Sequence, residues 1–302
     1  MSGHPDPGLE AMAAALEASG DYRVLRRYRA PESGPLEEDQ SAVLGLVLDV
    51  ETTGFDPASE RIIQLALVPF HYRRDTGQIT AAGAPAIWFE DPGRAIPPEI
   101  VKLTGITDEM VAGRHIDEPA VETLVASAGL VIAHNAAFDR PFAERRLPVF
   151  RDRPWACSIQ DIPWRGMGLG GSGLEYLLMK HSRVFHAGHR ADEDCLALLH
   201  LLTTPFPTGE TPFSLLLASA RKKSFRIWAI GSPIGRKDEL KRRGYRFNNG
   251  KDGRPLAWYR DVSASEEPAE RAWLAGAMYE GDAGRLRVDA LDARTRFSDR
   301  SG

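Results

Sequence analysis

Two carboxylates stand at the end of an otherwise apolar stretch of this chain. The run VLGLVL (43–48) is followed by Asp49 and, after one more residue, by Glu51. On a β-strand, residues i and i+2 point to the same face, so both acids are expected to converge. Two desolvated anions side by side repel each other unless a cation lies between them. The pair therefore indicates a divalent metal site, and an exposed strand end beside a turn is the alternative.

A second polar group follows the short apolar run at 130–133. HNAAFD (134–139) places Asn135 directly after that run and Asp139 at the start of a predicted helix. A carboxylate at this position could ligate a metal. The alternative is an ordinary helix N-cap, a position at which Asp is among the favoured residues.

A third group combines histidines with the acid-rich start of a helix in HAGHRADEDC (186–195). His189 and His186 could each accept a proton near neutral pH, because imidazole titrates in that range. Asp192 and Asp194 both flank the apolar side of the predicted helix, so helical register does not choose between them. Acids in a first turn also complement the helix dipole, which is the purely structural interpretation.

The segments around these groups predict an α/β fold. Strands followed by alternating strands and helices indicate a sheet with helices packed on its faces. We predict buried strands and helices in these ranges: strands at 43–48, 61–70, 86–90 and 130–133, and helices at 9–19, 119–129, 173–180 and 191–202.

Taken together, the three groups resemble a known family. Asp49-x-Glu51 followed by Thr52-Thr53-Gly54, Asn135-x-x-x-Asp139, and His189-x4-Asp194 occur in the order of the DEDDh motifs. This is the motif set of the DnaQ-like 3′–5′ exonucleases, which include the proofreading subunit of bacterial DNA polymerase III. The resemblance covers roughly residues 43–202, and its spacing favours Asp194 over Asp192.

The resemblance implies a ribonuclease H-like fold, a mixed five-stranded sheet flanked by helices. It also implies a two-metal mechanism in which the general base is His189 and the terminal nucleotide leaves as a 5′-monophosphate. Hard oxygen ligands favour Mg²⁺ or Mn²⁺, and two such ions can activate water and stabilise the leaving oxygen. The metal ligands expected from the motifs are Asp49, Glu51, Asp139 and Asp194. Expected substrate contacts are Thr52, Thr53, Phe55, Asn135 and Phe138, of which the two Phe could instead be core residues.

Charge is distributed unevenly along the chain. The whole chain carries 38 Lys plus Arg against 42 Asp plus Glu, a net charge of −4, yet residues 221–260 carry 13 against 3, a net charge of +10. We predict an N-terminal helix and linker at 1–40, an exonuclease domain at 41–204, and a small basic α+β accessory module at 213–302. Its cations and aromatic residues suit a nucleic-acid strand, and the alternative is that the rings form the module's core.

These expectations define one leading function and two alternatives. We expect a 3′–5′ exonuclease acting on the 3′ ends of DNA, in replication proofreading or repair, with a polymerase or repair complex as partner. An exoribonuclease and a catalytically inactive nucleic-acid-binding subunit are the alternatives. No apolar run approaches the roughly 18–20 residues that span a bilayer, and 2 cysteines are too few for a disulfide framework. We therefore expect no membrane partner and a cytoplasmic location.

Overall fold

The computed structural model describes residues 6–29, 36, 39–186, 188, 190–250 and 253–300. The strands are β1 (Arg26–Arg27), β2 (Val43–Thr52), β3 (Ile62–Tyr72), β4 (Ile79–Ala82), β5 (Ala86–Phe89), β6 (Leu130–Ala133), β7 (Trp155–Cys157), β8 (Val184–Phe185), β9 (Ser224–Ala229), β10 (Arg246–Asn248), β11 (Ala257–Ser263) and β12 (Arg287–Leu291). The helices are α1 (Pro7–Ala18), α2 (Pro98–Thr104), α3 (Asp108–Val111), α4 (Glu118–Ser127), α5 (Ala136–Arg146), α6 (Ser158–Asp161), α7 (Leu174–Leu177), α8 (Ala191–Thr203), α9 (Pro212–Ala220), α10 (Lys237–Arg242) and α11 (Glu267–Met278).

The main sheet is mixed and has the order β4-β3-β2-β6-β7, with β5 also paired to β3. Strand β2 is antiparallel to β3 and parallel to β6, and β6 is parallel to β7. The predicted mixed sheet flanked by helices is confirmed, but it has six strands instead of five. The extra strand is present because β3 is long enough to pair with β5 at 64–67 and with β4 at 70–72.

Helices cover both faces of this sheet. Successive side chains of a strand point to opposite faces, so Val47 packs with α8 and α9 while Leu48 packs with α4 and α5. The two cores are almost entirely apolar, which fixes β2 between them. Because β2 and β6 are parallel, their carboxyl ends lie at the same edge of the sheet. The residues that follow both strands are therefore brought together there.

A second, smaller sheet is formed by the C-terminal part of the chain. Its strand order is β10-β11-β9-β12, with all neighbours antiparallel. With α10 and α11 it has the β-α-β-β-α-β order of a ferredoxin-like fold, and the core between helices and sheet includes Tyr245 and Leu274. The edge strand β12 was not predicted from the sequence. We call residues 224–291 the C-terminal module.

After β12 the chain returns to the main sheet. The backbone N–H of Trp155 in β7 donates to the carbonyl oxygen of Ala293 at 2.6 Å. The fully buried guanidinium of Arg140 donates to the carbonyl oxygen of Arg296 at 2.6 Å and to Glu144 at 2.6 Å. Residues 292–300, which follow the last strand of the C-terminal module, therefore attach the module to the main sheet.

Replacing Arg140 should test how strongly this segment stabilises the protein. We expect Arg140→Met to lower the free energy of unfolding by about 3–5 kcal/mol, because buried backbone carbonyls lose their cationic donor and Glu144 keeps only the exposed Arg300 as a partner cation. The control, Arg271→Ala, removes an exposed pair with Glu267 and should change it by about 0–1 kcal/mol. Urea denaturation measures both, and equal small losses would contradict a role for Arg140 in anchoring the segment.

Candidate active site

Three carboxylates meet at the edge of the main sheet. Asp49 and Glu51 lie on the same face of β2, and Asp194 is in the first turn of α8, which packs on that face. One carboxylate oxygen of each lies within 4.8 Å of the others. β2 therefore presents Asp49 and Glu51 on one face, as their i, i+2 spacing predicts.

Asp139 approaches the same site from the other side of the sheet. It is the fourth residue of α5, and the helix N-cap is Asn135, so the interpretation of Asp139 as the cap is wrong. Asp139 is only 3% exposed. Burial raises its pKa to about 8, a hydrogen bond from the backbone of Val50 opposes that rise, and the charge of Glu51 adds to it. A fourth carboxylate is therefore held beside β2 in an environment that disfavours its charge.

Asp49 is the acid on which the charges of the other three all act. Burial raises its pKa well above the usual range, and the charges of Asp139, Glu51 and Asp194 raise it further. Burial and then Asp194 raise the pKa of Glu51 to about 7. Four acids that repel one another with only oxygen atoms to offer are a donor set for a hard divalent cation. The residues present thus fit the metal that the exonuclease motifs imply.

A buried amide sets the position of α8 relative to this cluster. Gln64 is fully buried on β3, opposite Glu51 in the register. Its Oε1 accepts the backbone N–H of Ala191 at 3.3 Å, and its Nε2 lies 3.4 Å from Asp192 Oδ1. Asp192 is thereby turned to Gln64, and Asp194 to the other acids. Gln64 was not among the residues predicted from the sequence, although a lone amide inside the apolar run RIIQLALVPF was a usable signal.

Of the two histidines before α8, the structure describes His186. His189, the predicted base, lies outside the described residues. His186 Nε2 lies 2.6 Å from Asp194 Oδ1, and its Nδ1 is buried without a partner in the described part of the chain. His186, the second candidate base, is thus in contact with an acid of the cluster.

The two threonines after Glu51 are engaged in the turn itself. Thr52 Oγ1 donates to the carbonyl oxygen of Gly54 at 2.6 Å, and Thr53 Oγ1 donates to Glu60 Oε2 at 2.6 Å. Both residues are buried. Their hydroxyls therefore shape the turn that presents Phe55.

The two predicted aromatic contacts lie on the surface beside the acids. Phe55 is 82% exposed, which excludes the interpretation that it is a core residue. Its ring centroid lies 6.3 Å from that of Phe138, which is half-buried and packs on Phe142 at 5.1 Å. Asn135 is exposed at the start of α5. Phe55 and Phe138 therefore form an aromatic pair next in the chain to the turn after Glu51 and to Asp139.

In the C-terminal module many cations have acidic partners. Arg226 pairs with Asp261 at 2.7 Å, and Arg243 and Arg260 pair with Glu270 at 2.9 and 2.7 Å. These acids lie beyond residue 260. The net charge of the folded module is therefore less positive than the +10 counted over residues 221–260. Tyr245 is buried and donates to Glu270 at 3.0 Å, so it belongs to the core.

A divalent cation should stabilise the folded protein if the carboxylates hold it. We expect Mn²⁺ or Mg²⁺ to raise the melting temperature of the wild type, since at about 100 times the Kd binding adds roughly 2.7 kcal/mol. Asp49→Asn should remove most of that increase, and Asp192→Asn, the matched control, should keep it. Calorimetric melts with and without chelator measure the effect, and an equal increase in Asp49→Asn would contradict the site.

Comparison with known proteins supplies the family. The sequence model of the exonuclease family (RNase T) matches residues 46–202. The DNA polymerase III subunit epsilon of Treponema pallidum (strain Nichols) is 30% identical over 168 residues, which is 52% of this chain and 73% of that protein. The 3′–5′ exonuclease DinG of Bacillus subtilis (strain 168) is 31% identical over 182 residues, 54% of this chain but only 18% of that protein.

One solved structure is similar in part, exonuclease X in complex with 5′ overhanging duplex DNA. It is 22% identical, with a TM-score of 0.38, over 58% of this chain and 90% of that one. No helix among the described residues is both long and apolar enough to span a membrane.

The family match covers more than half of the chain and includes both acids of β2, the acid of α5 and the acid of α8. The resemblance predicted from the three motifs is confirmed. The chain belongs to the exonuclease family, and it is a hydrolase of the DnaQ-like 3′–5′ exonuclease type.

Proposed function

We propose that this chain removes nucleotides one at a time from the 3′ end of DNA and releases nucleoside 5′-monophosphates. The observation that carries the proposal is the convergence of acids from β2, α5 and α8 at one sheet edge, in a chain of the exonuclease family. In this proposal Asp49, Glu51, Asp139 and Asp194 hold Mg²⁺ or Mn²⁺.

Phosphodiester hydrolysis needs an activated water and stabilisation of the charge on the leaving oxygen. Bound divalent ions supply Lewis acidity and lower the pKa of water. In the proposal, His189 accepts the proton of the attacking water, since an imidazole is suited to that role near neutral pH. His186 holds the carboxylate of Asp194 in place. The exposed ring of Phe55 and the half-buried ring of Phe138 flank the terminal nucleotide.

DNA is the favoured substrate because two relatives are named for DNA polymerase III, the epsilon subunit and the PolC-type enzyme. Their names also support a polymerase or repair complex as partner and a cytoplasmic location. An exoribonuclease remains the second candidate with the same chemistry. An inactive binding subunit is disfavoured, because a subunit released from catalysis would be expected to lose some of the acids that are all present here.

We further propose that the chain is divided into three functional segments. Residues 41–204 act as the exonuclease domain, residues 213–302 as the accessory module, and residues 1–40 as an N-terminal helix and linker. The separate core of the C-terminal module supports an accessory unit, while α9 packs in a core of the main sheet.

The substrate class is tested by digesting DNA and RNA strands of the same sequence and length, single-stranded and paired, with Mg²⁺ or Mn²⁺. We expect a higher kcat/KM on DNA. A higher kcat/KM on RNA would assign the chain to the exoribonucleases, because the pocket would then accept the 2′-hydroxyl.

A further inference from the structure

A cleft separates the exposed rings beside the acids from the C-terminal module. Its volume is about 690 Å³, within the range of about 300–1,000 Å³ typical of ligand sites. On one side it is lined by Phe55, Phe138 and Arg145, and on the other by Phe247 and Asn249. One side belongs to the turn after β2 and to α5, and the other to the C-terminal module, so the cleft lies between the module and the exonuclease part of the chain.

The two sides present the same chemistry. Phe247 is 55% exposed although it belongs to a small module that needs its rings for a core. Phe247 lines the same cleft as Phe55. The neighbouring Asn248 is buried and donates to the carbonyl oxygen of Pro255 at 3.1 Å, so the exposed group here is the ring. Aromatic faces are suited to stacking on a base of any sequence.

Cations lie behind Phe247 on the module. Its ring centroid is 5.3 Å from that of Trp258, and Lys241 Nζ lies 5.8 Å from the Trp258 ring centroid. Lys237, Lys241 and Arg242 on α10 form no ion pair with any acid among the described residues, unlike Arg226 or Arg243. Positive charge therefore remains available next to the exposed ring.

One side of the cleft is close in the chain to the acid cluster. Phe138 directly precedes Asp139, and Phe55 lies in the turn that follows Glu51. A strand whose last nucleotide lies at the acids would thus enter the cleft with the adjoining nucleotides. A base inside a duplex has both faces covered by its neighbours, so only an unpaired base can stack on rings within a cleft.

We propose that the C-terminal module, through Phe247, forms the second wall of a binding site for unpaired nucleotides next to the one being removed. The bases stack between Phe55 and Phe247, and the phosphates run outward to the cations of α10. This inference rests on the proposed exonuclease function and names its substrate as a single-stranded 3′ end. The exposed ring of Phe247 thus lets the module bind a strand by stacking, although acidic partners neutralise several of its cations.

The test uses point variants of the full chain, because residues 292–300 are packed on the main sheet and truncation would disturb it. Binding is measured with a fluorescent oligothymidylate on the Asp49→Asn parent. We expect Phe247→Ala to weaken binding roughly 5- to 150-fold, the range for loss of one base–aromatic stack. Phe247→Trp should restore it, and Ile234→Ala, which removes an exposed apolar side chain of the module outside the cleft, should leave it unchanged.

In the active enzyme, Phe247→Ala should raise the KM for single strands by a similar factor with a smaller change in kcat. Melting temperatures of the variants exclude a folding defect as the cause. Equal KM values for Phe247→Ala and wild type would overturn the inference, and so would an equal loss on blunt duplex. The wild type is assayed separately on thymidine 5′-(4-nitrophenyl) phosphate, which reports hydrolysis alone. No hydrolysis of that ester or of any strand would instead contradict the proposed function.

Discussion

Asp49→Asn and Asp194→Asn are each expected to lower the exonuclease rate by about 10³-fold or more. Each removes a charged oxygen from the proposed metal site, and we expect several kcal/mol of transition-state stabilisation to depend on that oxygen. The fold should survive, because the four acids repel one another and loss of one charge relieves that repulsion. Single-turnover digestion of a labelled strand measures the rate, and circular dichroism checks the fold.

Asp192→Asn is the matched control for this experiment. It lies in the same turn of α8 as Asp194, but its carboxylate contacts Gln64 and Arg190 instead of the other acids. We expect nearly unchanged activity. If Asp192→Asn were inactive and Asp194→Asn active, the assignment of the acid on α8 would be wrong.

His189→Ala should lower the rate by about 10²–10⁴-fold with metal binding retained, because a general base contributes that much. His186→Ala should have a smaller effect, about 10–100-fold, as expected for a residue that orients a metal ligand. Rates under saturating metal and direct Mn²⁺ binding separate the two effects. A larger loss in His186→Ala than in His189→Ala would reassign the base to His186.

Much of the site could be predicted because short-range geometry determines it. The period of a strand places Asp49 and Glu51 on one face whatever the rest of the fold does. The parallel pairing of β2 and β6 then brings the residues after both strands to one edge. The choice of Asp194 over Asp192 needed family spacing, because helical register alone left both acids on the border of the apolar side.

Other features depended on contacts between distant residues. Gln64 lies more than a hundred positions before Asp192, so its role in fixing α8 follows only from the packed sheet. The pairing of Arg226, Arg243 and Arg260 with acids outside 221–260 could not be read from local charge counts. Strand β12 is short, and its sequence shows no clear alternation of apolar and polar residues. Its pairing with β9 joins segments that are far apart in the chain.

The direction and product of the reaction are the most direct test of the account. A 5′-labelled single-stranded DNA is incubated with the wild-type protein and Mg²⁺, and the shortened strands and the released nucleotide are identified at each time. We expect a ladder of strands that shorten one nucleotide at a time from the 3′ end, with release of nucleoside 5′-monophosphates. Internal cleavage, shortening from the 5′ end, or release of nucleoside 3′-monophosphates would contradict the proposed 3′–5′ exonuclease activity.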